Sequence, residues 1–227
     1  MRVLFLSSGG GSTARFLYKL SQLSNFRFIR EVEISILADR DCGAYRWAKS
    51  KGLNAEKIDM QSSVKEITDN INNFNAEIIV TTIYKIIQEE VIIGCAGKMI
   101  NLHYSLLPAF AGTIGDKSIK DAVSYGCMLA GSTCHMVTRE VDGGQPISQV
   151  AYCTENKDIV TVKQKAFVSG CLALYSGLYS IKRINYRLEE ELDQVITISG
   201  GAMLCSPGLP SEQSLTSEIF WNSIQKD

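Results

Sequence analysis

Only two histidines occur in the 227 residues, and one of them, His103, lies in the stretch NLHYSLLP two positions after Asn101. In an extended segment residues two apart share a face, so this spacing sets an amide beside an imidazole. The amide NH2 is able to donate to a developing oxyanion, and the imidazole is able to move a proton near neutral pH. Such a pair needs a third group to orient the ring and stabilise its charged form. Asp142, in the glycine-rich turn REVDGG, is the carboxylate that the sequence offers for this. The same residues also have a plainer reading, with His103 a satisfied core histidine and Asp142 a turn former.

A second constellation stands at the start of the chain, where SSGGGSTA covers residues 7–14. Glycines allow tight backbone turns before a helix, and the helix N-terminus then presents amide N–H groups to an anion. Gly9, Gly11 and Ala14 satisfy G-x-G-x-x-A, and Asp39 closes the next apolar run, as a dinucleotide site would require. Gly10, Gly11, Ser12 and Thr13 suit a single phosphate monoester equally well. A dinucleotide, a phosphate-bearing substrate and a purely structural turn all fit these residues.

The elements that must position these groups follow from periodicity. RVLFLSS (2–8) reads as a strand, TARFLYKLSQL as a helix, VEISILAD (32–39) as a strand, and GAYRWAKSKG (43–52) as a helix stopped by Gly52. SVKEITDNINNF (63–74) reads as an amphipathic helix. AEIIVTTI (76–83) reads as a buried strand of the continuous apolar kind, and KMINLH (98–103) as another strand. DKSIKDAVSYG (116–126) is expected as helix, and LAGSTCHMV (129–137) and QPISQVAYC (145–153) as strands around REVDGG. A long helix is expected over 159–184, a solvated face over RLEEELD (187–193), and a last strand over QVITI (194–198). This alternation argues an α/β fold with a doubly wound, mostly parallel sheet and an antiparallel strand near the C-terminal part. One domain is expected over residues 1–198, with 199–227 an irregular tail holding two of the four prolines.

Composition excludes several classes of partner. Lys+Arg 23 against Asp+Glu 24, with no long run of one sign, recruits neither nucleic acid nor an anionic membrane. No apolar run approaches the roughly 20 residues of a membrane-spanning helix, and the N-terminal apolar run is too short for a signal peptide. The seven cysteines form no C-x-x-C pair and have almost no histidine to share a metal with, which suits small core residues in a reducing, cytoplasmic setting and no metal. His135, mid-strand in STCHMVT, reads as structural. The oligomeric state is left open.

NLHYSLLPAFAG followed by GSTCHMVTREVDGG resembles the signature of the folate-dependent formyltransferases, whose pattern is Asn-x-His-x-Ser-Leu-Leu-Pro and then an Asp in a D-x-G turn. The resemblance runs from residue 1 to about 185 and implies a Rossmann-like formyltransferase fold. It implies 10-formyltetrahydrofolate as formyl donor, no metal, and a small-molecule amine as acceptor, glycinamide ribonucleotide first. Asn101, His103 and Asp142 would then be catalytic: Asn101 donating to the oxygen of the tetrahedral intermediate, His103 stabilising that oxygen or relaying the proton, Asp142 orienting the ring. Gly10, Gly11, Ser12 and Thr13 would hold the substrate phosphate. The segment TTIYKII is similar to the family's folate site, which makes Tyr84, Lys85, Ile86 and Ile87, with Val141 beside Asp142, the folate-binding residues.

This chain departs from the pattern in three places. Ala111-Gly112 stands where the family shows Pro-Gly. The stretch 112–131 is longer than expected and lacks a histidine-bearing start. Counting from Asp142, Cys171 falls where a substrate-gripping Glu is expected. Other acceptors therefore stay open, among them an amino sugar or another small amine. From a different class, a dinucleotide-binding module without catalysis stays open too.

Overall fold

The computed structural model describes residues 1–24, 27–154, 158–183, 194–198, 201–209 and 213–226. The chain divides into two compact units: residues 1–101 with 136–141 and 224–227, and residues 102–135 with 142–223. No helix among the described residues is long and apolar enough to cross a membrane.

The first unit alternates strand and helix: β1 (Arg2–Ser7), α1 (Ser12–Leu23), α2 (Arg27–Arg30), β2 (Glu33–Ala38), α3 (Gly43–Ser50), β3 (Asn54–Lys57), α4 (Val64–Asn72), β4 (Ile78–Thr82), α5 (Glu89–Gly94) and the start of β5 (Lys98–His103). Its strands lie in the order β3-β2-β1-β4-β5, and every pairing is parallel. Continuous apolar runs are what a parallel sheet covered on both faces demands, and β1 is buried from Val3 through Ser7. Leu4, Leu6, Leu37, Ile79 and Met99 from the strands pack with Ile67 and Ile71 of α4 and with Val91 of α5 into one core. The glycine loop leaves β1 and the Asn101 side chain leaves β5 on this rigid frame, in neighbouring positions of the strand order about β4.

The second unit holds α6 (Lys117–Tyr125), β6 (Leu129–Met136), β7 (Pro146–Cys153), α7 (Ile159–Arg183), β8 (Gln194–Ile198), β9 (Gly201–Ser206), a 3-10 turn at Gln213–Thr216 and α8 (Glu218–Lys226). Its strands run β6-β7-β9-β8 and pair antiparallel throughout, so the antiparallel part is larger than the single strand expected. Helix α7 is buried along Val168–Leu178, the all-round burial of a helix inside a core. Gly170 lets it approach the His103 segment: a Cβ there would lie 2.8 Å from Cε1 of Tyr104. Where an irregular tail was expected, β9 pairs with β7 and β8, and Trp221 of α8 packs edge-on against Phe167 of α7. Two nearby prolines hid this strand. The first of them, Pro207, directly follows it. The solvated face expected over 187–193 lies outside the described residues.

Candidate active site

In the second unit, the chain from Ser105 to Ala109 is pinned before any substrate is considered. Thr133 Oγ1 on β6 donates to the Ser105 carbonyl (2.7 Å) and accepts from the Leu107 amide (3.0 Å). Gln149 Nε2 on β7 donates to the Leu107 carbonyl at 3.1 Å, and the Ser105 hydroxyl donates to the Ala109 carbonyl. These bonds fix the backbone next to His103, the last residue of β5, so the imidazole is carried on a rigid element.

His103 is buried, with 6% of its side chain exposed, and its two ring nitrogens face different oxygens. Nδ1 lies 3.3 Å from Asp142 Oδ2, and Nε2 lies 3.1 Å from the Phe110 carbonyl. Both oxygens only accept, so an imidazolium fills both contacts whereas a neutral ring leaves one of its lone pairs against an oxygen. Burial nevertheless pushes the His103 pKa down, the Asp142 charge and the Phe110 carbonyl opposing it and the neighbouring His135 adding to it. Burial thus favours the neutral ring, while the two oxygens around it suit its charged form.

Asp142 occupies the left-handed backbone region, φ 55°, which Asp tolerates in tight turns. Its carboxylate is fixed from several sides. The Gly112 amide donates to Oδ2 at 2.7 Å, and His135 Nε2 lies 3.6 Å from Oδ1. Burial raises the Asp142 pKa, but His135, the Gly112 N–H and His103 together outweigh it and hold the carboxyl below its usual range. Gly112 is itself in the left-handed region at φ 77°, so the Ala111-Gly112 departure keeps the glycine that this contact uses. His135, which the sequence reads as structural, is buried beside Asp142. Its only signal in the sequence is that it lies on the strand leading into the REVDGG turn. Among the described residues, no group of three or more His, Cys, Asp or Glu side chains is placed to hold a metal ion.

In the first unit, Asn101 is the register partner of Thr81 across β4 and β5. Its Nδ2 donates to the Thr81 carbonyl at 2.9 Å and to Thr81 Oγ1 at 2.8 Å. The glycine loop opens α1 with Gly11 as N-cap, at φ 72°, with no side-chain cap and no acidic residue in the first turn. Those amides are therefore not screened by a local anion. A Cβ on Gly11 would lie 2.6 Å from that of Ala44, so only glycine fits; at Gly10 nothing lies within 4 Å. Ser12 is exposed and Thr13 is buried. Beside the loop, Asp39 is clasped by its neighbour Arg40 through bonds of 2.8 and 2.7 Å, and Arg40 reaches over the Tyr84 ring. The Arg40 guanidinium holds the Asp39 carboxyl below the usual carboxylate range.

Tyr84, Lys85 and Ile86 lie exposed in the segment after β4, with Ile86 at 76%, and Val141 is exposed as well. Ile87 is instead partly buried against the core of the first unit. Cys171 is fully buried in α7, where burial pushes its thiol pKa well up, so its side chain faces packed core.

The family model described as formyl transferase matches residues 1–167. Among curated relatives, the chloroplastic phosphoribosylglycinamide formyltransferase of Vigna unguiculata is 27% identical over 151 residues, 63% of this chain and 48% of the relative. The formyltetrahydrofolate deformylase of Haemophilus influenzae is 31% identical over 86 residues, 37% of this chain and 30% of the relative. The chain spans about half the length of the plant relatives it matches. Among solved structures, the phosphoribosylglycinamide formyltransferase of Campylobacter jejuni superposes with TM-score 0.67 at 25% identity, covering 81% of this chain and 97% of that one. The glycinamide ribonucleotide transformylase 1 of Symbiobacterium toebii gives TM-score 0.69 at 19% identity, covering 81% and 89%. With its glycine loop, parallel strands and NLHYSLLP segment all inside the matched residues, this chain belongs to the formyl transferase family.

Proposed function

We propose that the protein transfers the formyl group of 10-formyltetrahydrofolate to the amine of a small, phosphate-bearing substrate, with glycinamide ribonucleotide as first choice. The observation that carries this reading is the buried His103 with its Nδ1 on an Asp142 carboxylate anchored by the Gly112 amide, in a chain of this family. The amine lone pair forms a bond to the formyl carbon while the carbonyl pair moves onto oxygen. The amine, now positively charged, gives a proton to His103, and the imidazolium returns it to the folate nitrogen as the bond from that nitrogen to carbon breaks. Asp142 stabilises the imidazolium in between. Nε2 is the nitrogen turned away from Asp142, and it exchanges the Phe110 carbonyl for the substrate.

Asn101, Gly10, Gly11, Ser12 and Thr13 take the substrate side of this reading, the last four through the uncapped start of α1. Tyr84, Lys85, Ile86, Ile87 and Val141 take the folate side, where exposed apolar surface suits a flat heterocycle. The dinucleotide alternative loses ground because Asp39 already spends both carboxylate oxygens on Arg40. All seven cysteines are free, which fits a reducing compartment and a cytoplasmic location.

The test incubates the protein with 10-formyltetrahydrofolate and glycinamide ribonucleotide and follows formylated product by mass spectrometry. Parallel reactions contain an amino sugar phosphate, or no amine. Formylated glycinamide ribonucleotide at a kcat/KM of about 10⁴ M⁻¹s⁻¹ or above, the lower end of ordinary enzymes, is the expected result. Formate release without an amine would make water the acceptor, and product only with the amino sugar would move the substrate assignment.

A further inference from the structure

Gly9 is not one of the left-handed glycines, so its own backbone does not require it to lack a side chain. A Cβ there would instead meet the phenol oxygen of Tyr84 at 3.0 Å, with Cζ behind it at 3.8 Å. Tyr84 therefore lays its hydroxyl against the glycine loop, one residue before Gly10. A closed circuit holds it there. The Tyr84 amide donates to Ser8 Oγ at 3.0 Å, which leaves the Ser8 hydroxyl proton for Asp39. Asp39 accepts the Arg40 bonds of 2.8 and 2.7 Å, and the Arg40 guanidinium lies 6.0 Å over the Tyr84 ring. Ser8, Asp39 and Tyr84 follow β1, β2 and β4, neighbours in the sheet, at the carboxyl ends where parallel sheets bind ligands. The Tyr84 hydroxyl has no hydrogen-bond partner among the described residues, and Tyr84 is 55% exposed. Thr13, in the first turn of α1, is 4% exposed, and its hydroxyl has no partner among them either. Arg40 first, then the Ser8 hydroxyl and the Arg40 and Lys85 charges, hold the Asp39 carboxyl below its usual range against its burial. Two cations thus stand against one carboxylate beside the uncapped start of α1.

We propose that the Tyr84 hydroxyl is a specificity-determining donor to the substrate phosphate, closing from the β4 side the site that Gly10, Gly11, Ser12 and Thr13 form at the start of α1. Ser8, Asp39 and Arg40 are its positioning residues. This rests on the formyl-transfer reading above and refines it: the Tyr84 hydroxyl serves the amine substrate, while the folate side keeps the rest of the segment. A hydroxyl donating to a phosphate oxygen makes a charge-assisted bond, shorter and stronger than a bond between neutral groups. A ring already clasped by Arg40 gives up little rotamer freedom when the anion arrives, so more of that bond appears as affinity. Gly9 then has a reason in the site: it leaves room for the phenol oxygen.

The experiment compares wild type, Tyr84→Phe, Gly9→Ala and the double variant by calorimetry with inorganic phosphate and, separately, with 5-formyltetrahydrofolate. Tyr84→Phe keeps the ring and its contact with Arg40 but removes the donor. It is expected to weaken phosphate binding by about tenfold, the lower end for a hydrogen bond to a charged group, with folate binding nearly unchanged. Gly9→Ala crowds the phenol oxygen and should weaken phosphate binding to a similar degree. Once residue 84 is Phe, the nearest ring atom to that methyl is Cζ at an ordinary contact distance, so Gly9→Ala should add no further loss. Unchanged phosphate affinity in Tyr84→Phe, or a loss confined to the folate, would overturn the assignment. Additive losses in the double variant would overturn the placement of the hydroxyl at Gly9, and a wild type that binds no phosphate would overturn the proposal as a whole. In turnover, Tyr84→Phe should raise KM for glycinamide ribonucleotide and leave KM for 10-formyltetrahydrofolate unchanged. A wild type that binds phosphate yet forms no formylated amine refutes the formyl-transfer reading, while the calorimetry still decides the role of Tyr84.

Discussion

His135 Nε2 stands 3.6 Å from Asp142 Oδ1, while His103 Nδ1 lies 3.3 Å from the other carboxylate oxygen, Oδ2. Both histidines of the chain thus converge on one Asp. The longer contact is the weaker of the two, yet the His135 side chain is the first of the contacts that hold the Asp142 carboxyl below its usual range. Replacing His135 by Gln is expected to lower kcat by about tenfold, well short of the loss from either partner of the closer pair, and to raise the Asp142 pKa. Steady-state kinetics beside an NMR titration of the Asp142 carboxyl checks both. An unchanged Asp142 titration would refute the electrostatic link.

Asp142→Asn keeps an oxygen for the Gly112 amide but removes the charge facing His103. A loss of about 10²-fold or more in kcat is expected, on the scale of orienting groups in acid–base catalysis, with His103→Ala at least as severe. Circular dichroism should report an intact fold in both. Turnover near the wild-type value in either variant, on the correct acceptor, would remove the pair from the mechanism.

Acid should weaken the fold in two stages. Burial holds the His103 pKa below its unfolded value of about 6.5. Between that value and the lower folded pKa the unfolded chain binds the extra proton, so stability falls as pH drops through this window. The Asp142 pKa is also lowered, and its contribution is present above about 4 and is lost at more acid pH. Urea midpoints between pH 7.5 and 5 should therefore decline in the wild type and decline less in His103→Gln. Parallel slopes would show that another group carries the effect.

Cys171→Glu, which the sequence pattern suggests as a gain in substrate recognition, is expected to do harm. The site is fully buried, and an unpaired carboxylate there costs about 3 kcal/mol or more or forces the group to stay protonated. The prediction is a large fall in melting temperature with no improvement on any amine. A variant as stable as wild type with better kcat/KM would restore the sequence-level assignment.

The glycine loop separates two kinds of requirement. Gly11→Ala meets Ala44 at 2.6 Å and places a Cβ at φ 72°, so a loss of at least about 1–2 kcal/mol in stability is expected. Gly10→Ala meets nothing within 4 Å and should leave the melting temperature unchanged while weakening binding of inorganic phosphate. Calorimetry with phosphate and with NAD reads this. Saturable NAD binding in the micromolar range would favour a dinucleotide site instead.

Local pattern alone determined most of the strands and the long helix. β5 at Lys98–His103 and β8 at Gln194–Ile198 fall where the apolar runs predict them, and α7 begins at Ile159 as expected. Each is a segment whose burial imposes a period on its own residues. The candidate residues Asn101, His103 and Asp142 were legible for the same reason, since each stands at the end of such a run or in the turn joining two of them. β3 escaped because its four residues, NAEK, are mostly exposed and carry no alternation. β9 escaped because it is read against a proline-rich surrounding and is stabilised by pairing with β7 and β8, partners that composition does not reveal. Tertiary structure alone decided who faces whom. Sheet register brings Thr81 to Asn101 across 20 residues, and a left-handed glycine brings the Gly112 amide to Asp142 across 30. It also decided that Cys171 turns inward. Periodicity assigns a face to each residue of an element, whereas the atom on the other side of that face is set by how elements distant in the chain pack together.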